Sequence, residues 1–282
     1  MKKTDSESDF RMTPIEKYTQ SDHSTSIKFA FLIFTFCVIV VGAANYLPKL
    51  VSVSSSVNGR DLPIYCVQTQ KPQIALTFDA AWGNEDTQQI LDVLKKHDVH
   101  VTFFATGGWV EKYPDDVKAI LANGHDIGNH SENHKNMSQL SKEEMKSEIM
   151  MVHDRVKELT GYEMTMFRPP YGDYSNEVIQ TVREVGYYPI QWDVDSLDWK
   201  DYDASTIINK VCNHKHLGNG SIILCHNGAK HTAEALDEMI TTLKNQGYEF
   251  VRVKDLIYKD NYKMDVEGRQ IPDKNTGNQT NT

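Results

Sequence analysis

At 282 residues, 39% of them hydrophobic and 10% aromatic, the chain can build one large globular domain or two small ones. Its 39 Asp and Glu against 30 Lys and Arg give a formal net charge of −9, which argues against nucleic acid as a partner, because phosphate binding needs clustered Lys and Arg. The same acidity gives no electrostatic help in approaching anionic lipid or anionic wall polymers.

The front of the chain reads as a membrane segment. Residues 1–28 are polar and carry Lys2, Lys3, Arg11, Lys17 and Lys28; residues 29–47 are almost wholly apolar and end near Tyr46, with Lys49 and Arg60 beyond. A buried core helix is disfavoured, since the run has no polar face. A cleaved signal peptide fits the small residues Gly42, Ala43 and Ala44. An uncleaved signal anchor fits better, because the polar lead is long for an n-region and the apolar run is long for an h-region. The excess of Lys and Arg before the run places 1–28 in the cytoplasm and the rest outside, in a single-pass membrane protein (or a secreted one if the segment is cleaved). Residues 48–71 read as a linker and lead-in, 72–258 as the folded domain, and 259–282, rich in Asn, Lys, Asp, Gln and Thr, as a disordered tail.

Within 72–258, strand and helix signals alternate. Residues 74–78 form an apolar strand signal ending at Asp79; 85–97 have helical periodicity through Ile90, Leu91 and Leu94; 99–105 are strand-like again. A helix follows over 109–122, divided at Pro114. Ser141 and Glu144 form a capping-box signature that opens a long helix towards Leu159. Three joints, at Gly124, Gly186 and Gly247, each close an amphipathic helix before a strand. Repeated joints of this kind predict an α/β fold with a parallel sheet, wound or closed around one core. In a barrel the chemistry gathers at the C-terminal strand ends, and Asp79, His130, Arg168, Asp198 and His226 all fall at or just after predicted strands.

Those residues form a hydrolytic inventory. His130 and His134 are four apart, so that on one helical turn both imidazoles would face the same ion; alone, the spacing equally describes two surface histidines. Asp79 is either a turn aspartate or a base that takes a proton from water. Arg168, mounted before two prolines, is either a surface ion-pair residue or the group that pairs with Asp79 and lowers its pKa. His226 ends an apolar strand, either as a satisfied core histidine or as an acid that protonates a departing amine, with Asp198 raising its pKa. Trp199 and Leu224 are either plain core or the wall of a small acyl pocket. The four cysteines, Cys37, Cys66, Cys212 and Cys225, lack zinc or redox spacing. Cys66 and Cys212 could pair in an extracellular domain, or all four are small hydrophobes.

Five patches in order, Thr77-Phe78-Asp79, His130-Ser131-Glu132-Asn133-His134, Arg168-Pro169-Pro170-Tyr171, Asp195-Ser196-Leu197-Asp198-Trp199 and Leu224-Cys225-His226, resemble the motifs of the NodB-homology polysaccharide deacetylases, carbohydrate esterase family 4, over about residues 72–256. The resemblance implies a distorted (β/α)7 barrel that removes acetyl groups from N- or O-acetylated glycans with zinc or another divalent metal. It implies Asp79 as catalytic base and Arg168 as its positioner. It also implies His130 and His134 as metal ligands, the Tyr171 amide as oxyanion donor, Trp199 and Leu224 as acetyl pocket, His226 as acid and Asp198 as its partner. The chain departs from the pattern at Ala80, where the family usually has a metal-binding Asp; Glu85 or Asp86 is the alternative donor. The stretch Asp79-Ala80-Ala81-Trp82-Gly83-Asn84-Glu85 resembles the first motif of sporulation and cell-envelope deacetylases and favours peptidoglycan over chitin or xylan.

The expectation is therefore a membrane-anchored hydrolase of the linear amide C–N bond that de-N-acetylates GlcNAc or MurNAc in cell-wall glycan. A catalytically silent carbohydrate-binding or scaffold protein on the same fold is the alternative, motivated by Ala80. The same machinery acting on another amide is a third reading.

Overall fold

A computed structural model describes residues 56–273, the backbone of Val53–Ser54 and the helical residue Lys28. The predicted span at 29–47 lies outside the described residues; among those described, no helix is long and apolar enough to cross a membrane. Everything below belongs to the unit Ser52–Thr282.

Side-chain parity organises the sheet. In β1 (Gln73–Ala80), Ile74, Leu76, Phe78 and Ala80 share one apolar cluster with Ile90, Ile120, Ile149, Val178 and Leu236 of the helices. Ala75 falls in a second cluster with Phe104, Met166, Ile190 and Ile222. Alternate residues thus face the helical layer and the interior. A strand buried on both faces reads as a continuous apolar run, which is why this one was legible.

The remaining strands are β2 (Thr102–Ala105), β3 (Asp126–Asn129), β4 (Met166–Phe167), β5 (Tyr188–Pro189), β6 (Val194–Asp195), β7 (Ile222–Asn227) and β8 (Glu249–Phe250). The order is β6-β7-β1-β2-β3-β4-β5, with β8 on β1, and every pairing is parallel. This is the curled parallel α/β sheet expected of the fold class, as a partial barrel.

Helices α1 (Thr87–Lys96), α2 (Gly107–Lys112), α3 (Pro114–Ala122), α4 (Lys142–Thr160), α5 (Asn176–Glu184), α6 (Ala204–Cys212) and α7 (Thr232–Asn245) cover it. Pro114 opens α3, dividing the predicted helix where its missing N–H costs least. The Ser141 and Glu144 side chains form the reciprocal capping box that starts α4, a feature that stabilises by about 1 kcal/mol. Gly124, Gly186 and Gly247 have φ of +80°, +87° and +94°, the left-handed geometry that reverses the chain from helix to strand.

Two boundaries differ from the expectation. The lead-in is part of the fold: Leu62, Ile64 and Val67 are buried, Ile64 bonds Pro189 and Gln191 beside β5, and Val67 bonds Gly220 before β7. The segment from 259 onwards, predicted to be disordered, contains an antiparallel pair, Tyr262–Met264 with Arg269–Pro272, and the latter strand pairs with Cys66–Val67. Length hid both, because each strand has only two to four residues, and in the second Tyr262 and Met264 are buried either side of an exposed Lys263. Cys66, Cys212 and Cys225 are buried free thiols, so Cys66 and Cys212 are not bridged; Cys37 lies outside the described residues.

Candidate active site

The predicted base and acid are neighbours. Asp79 on β1 and His226 on β7 are register partners on adjacent strands, and parity turns both to the interior side. Asp79 Oδ1 accepts a 2.6 Å bond from Arg168 Nη1, and Arg168 is fully buried. The same Nη1 donates to Thr77 Oγ1 at 2.9 Å, and Thr77 donates to the Ile223 carbonyl. Arg168 also lies flat on Phe104, its Cζ 4.0 Å from the ring centroid. Burial alone would push the Asp79 carboxyl up, but the guanidinium, followed by His130 and His226, outweighs it and holds Asp79 below the usual carboxylate range.

His226 is tuned the opposite way. Its Nδ1 donates to Asp198 Oδ1 at 2.7 Å, and its backbone N–H donates to Asp198 Oδ2 at 2.7 Å. Thr232 Oγ1 donates to the same Oδ2, and Asp198 is fully buried. An ionised carboxylate only accepts, so Nδ1 carries the proton and Nε2 is the free nitrogen. Burial pushes the imidazole down, but the hydrogen bond and charge of Asp198, with Asp79 behind, raise it above its ordinary value. The sheet thus sets a carboxylate held ionised beside an imidazole biased to hold a proton, the pairing that acid–base catalysis uses.

His130 and His134 also converge, but not on a helical turn. The segment after β3 is irregular, with Ser131 and His134 at φ of 66° and 53°. The expected helical mount is therefore corrected: left-handed backbone, not helical spacing, brings the rings to 4.9 Å between centroids. Side chains from α4 fix this loop. Glu148 accepts from Asn133 N and Nδ2, both at 2.8 Å, and Arg155 pairs with buried Glu132 at 2.7 Å. His130 Nδ1 donates to the Arg168 carbonyl at 2.8 Å, leaving Nε2 3.5 Å from Asp79 Oδ2. Burial lowers the His130 pKa to about 4 and lowers that of His134, so both rings are neutral at physiological pH.

A third donor is lacking. Ala80 is fully buried and belongs to the apolar layer between sheet and helices. Asp86 Oδ1 is engaged by Gly228 N at 2.8 Å, and burial pushes the Asp86 carboxyl up to about 6. Glu85 folds over Gly83. Among the described residues, no three His, Cys, Asp or Glu side chains are placed to share a metal ion. A catalytic zinc site has three protein ligands, so this donor set does not fit a resident zinc.

The predicted substrate residues are distributed as follows. Tyr171 has left-handed backbone (φ 62°, ψ 5°) and an exposed side chain whose ring meets that of His134 at 4.6 Å. Leu224 is buried on β7, two residues before His226 and on the same strand face. Trp199, expected to wall the acyl pocket, is 51% exposed, with Lys200 Nζ 4.9 Å from its ring centroid. The sequence patterns assign no role to Thr77, Thr232, Glu148 or Trp82. Thr77 was legible in principle, two residues before Asp79 and hence on its face of the strand. Glu148 was not, since nothing in a helix periodicity says which buried glutamate grips a distant loop.

Comparison with known proteins places the fold in a family. The family profile described as polysaccharide deacetylase matches residues 67–190. The chain is 44% identical over 201 residues to an uncharacterized 30.6 kDa protein of Geobacillus stearothermophilus, covering 68% of this chain and 74% of that one. It is 39% identical to the peptidoglycan-N-acetylglucosamine deacetylase PgdA of Listeria monocytogenes, over 74% of this chain but only 45% of that protein's length. The solved structure of BA3943, a pseudoenzyme of carbohydrate esterase family 4 from Bacillus anthracis, superposes with a TM-score of 0.67 at 33% identity, covering 74% of this chain and 70% of that one. A mutant of that pseudoenzyme is described as having restored enzymatic activity.

Proposed function

Because the chain belongs to the polysaccharide deacetylases of carbohydrate esterase family 4, we propose that it hydrolyses the N-acetyl groups of a cell-wall glycan, GlcNAc or MurNAc of peptidoglycan. One observation carries this reading: Asp79 and His226 sit side by side on β1 and β7, each held by a buried partner of opposite charge. Pure glycan binding requires neither.

In the proposed reaction Asp79 accepts a proton from a water molecule as the water oxygen attacks the acetamide carbonyl carbon. Arg168 fixes the carboxylate so that this costs little reorganisation. The Tyr171 amide is the candidate donor to the developing oxyanion. His226 Nε2 then gives a proton to the amine nitrogen, the C–N bond breaks, and acetate and a free amino sugar result. Leu224, with Trp199 at the rim, shapes the space for the acetyl methyl. Family members are generally metal-dependent, but among the described residues no three donors are placed to share an ion, and no step here is routed through one. His130 and His134 serve instead as neutral, loop-fixed polar groups beside Asp79. In the same proposal, residues 29–47 anchor the domain outside the membrane.

Incubating the protein with N-acetylated glycan oligomers and measuring acetate tests the reading; release that persists unchanged in Asp79→Asn removes Asp79 from the role of base. A second reading, a silent glycan-binding protein, is favoured by the buried methyl of Ala80 and by the lack of a three-donor cluster among the described residues. It predicts saturable glycan binding without acetate.

A further inference from the structure

Trp82 takes no part in the chemistry above, yet it stands against the acid. Its ring system stacks on His226, with centroids 5.1 Å apart and planes inclined by 28°. The residue is nonetheless 50% exposed, among the few large apolar side chains open to solvent in the described chain. The imidazole covers one indole face, and half of the residue's surface stays open to solvent.

The loop that carries Trp82 is fixed to the acid's own strand. The Gly83 carbonyl accepts from Asn227 Nδ2 at 3.0 Å and from Trp109 Nε1 at 3.1 Å. Thr87 Oγ1 donates to Asn227 Oδ1 at 2.9 Å, and Gly228 N donates to Asp86 Oδ1 at 2.8 Å. Gly228, at φ +88°, lies so close to Gly83 that a Cβ there would stand 3.2 Å from the Gly83 backbone. Asn227 and Gly228 directly follow His226, so these contacts tie the loop of the indole to the strand of the imidazole. An exposed aromatic held this firmly has given up the rotational freedom of a surface side chain, which is a cost recovered by a ligand that stacks on it.

We propose that Trp82 is a substrate-positioning residue whose solvent-exposed surface receives the pyranose ring of a sugar neighbouring the one being processed. The C–H face of a pyranose is apolar and flat enough to lie on an indole, while its hydroxyls stay in water. Because the imidazole lies against the other side of the indole, a ring stacked there sits beside the acid rather than on it, and the next sugar of the chain is left to present its amide to His226. The inference deepens the deacetylase reading and rests on it for the identity of the sugar, though not for the place of the indole.

The test compares full-length wild type with Trp82→Ala, Trp82→Phe and Trp82→Leu, using the linear tetramer of N-acetylglucosamine as probe. Thermal unfolding confirms folding, calorimetry gives Kd, and acetate release gives KM and kcat. Trp82→Ala is expected to raise Kd and KM by about tenfold, the size of one aromatic stacking contact, with kcat changed by less than about threefold. Trp82→Phe, which keeps a flat π face, restores both; Trp82→Leu, which keeps only apolar bulk, does not. Wild-type affinity in Trp82→Ala, rescue by Leu as complete as by Phe, or no tetramer binding by wild type overturns the inference. If the tetramer binds through Trp82 and no acetate appears, the hydrolase reading falls and the inference stands. If acetate release is intact and Trp82→Ala leaves KM unchanged, the inference falls and the reading stands.

Discussion

On the β1–β7 side of the site, Asp79 and His226 each meet a buried group of opposite charge, Arg168 and Asp198. On the other, His130 and His134 meet each other and Tyr171, and the neighbouring strand position, Ala80, belongs to the apolar layer. Both sides are rigidly built, the second by Glu148 and Arg155 from α4. They differ in what they are complete for. The first has every partner that proton transfer needs; the second has two of the three donors that a zinc ion needs. In the proposed reading, moving protons and holding an ion are separable tasks in this fold, and the described residues supply the pairs for the first and two of the donors for the second.

The contrast can be broken most forcefully at Arg168. Arg168→Met leaves the Asp79 carboxylate buried without its counter-charge, and should destabilise by about 3–5 kcal/mol, read as a lowered urea midpoint; a change under about 1 kcal/mol would mean the pair is not the keystone described. Next is Asp198→Asn. Activity requires Asp79 ionised and His226 protonated, so the rate should fall below the depressed pKa of Asp79 on the acid side. On the alkaline side it should fall above the raised pKa of His226. Replacing Asp198 removes the charge and strong acceptor that raise His226, leaving burial to lower it. The alkaline limb should therefore move to lower pH, and the rate at neutrality should drop by about 100-fold. An unmoved alkaline limb would separate His226 from the acid role.

The ion-holding side is sharpened by zinc titration. Two imidazoles should bind zinc with Kd weaker than about 1 μM, about 8 kcal/mol, against the roughly 10–16 kcal/mol of complete structural sites. Nanomolar binding abolished by His134→Ala would show that the donor set is larger than drawn. The smallest effect is expected at Glu148→Gln, which keeps one acceptor for Asn133 and loses the charge facing Lys135. It should cost about 1 kcal/mol, or about 2–4 °C in melting temperature for a domain of this size.

Much of this arrangement was legible before the fold was seen. Interior strands such as 74–78 and 222–225 announce themselves as apolar runs, Ser141 and Glu144 mark the start of α4, and three glycines mark the helix-to-strand joints. Asp79 and His226 could be named because each ends an apolar run, and the other site residues because the five patches resemble the motifs of a known family. What could not be read is anything that depends on a distant partner. The Thr232 hydroxyl on Asp198 and the Glu148 grip on Asn133 join residues 34 and 15 apart with no local pattern. The histidine spacing suggested a helical turn, where left-handed Ser131 and His134 do the same work. The short strands of the lead-in and of 262–272 were not legible, because two to four residues give too few positions for an alternation to show.

The account depends on Asp79 and His226 acting as base and acid on one amide, and acetate release from N-acetylated peptidoglycan fragments as a function of pH, by wild type and Asp79→Asn, measures it most directly. Wild type should release acetate with a plateau bounded by the depressed Asp79 and the raised His226. Asp79→Asn should lose about 10²–10⁴-fold at every pH. Equal rates for the two proteins, or glycan binding by wild type with no acetate at any pH, would contradict it.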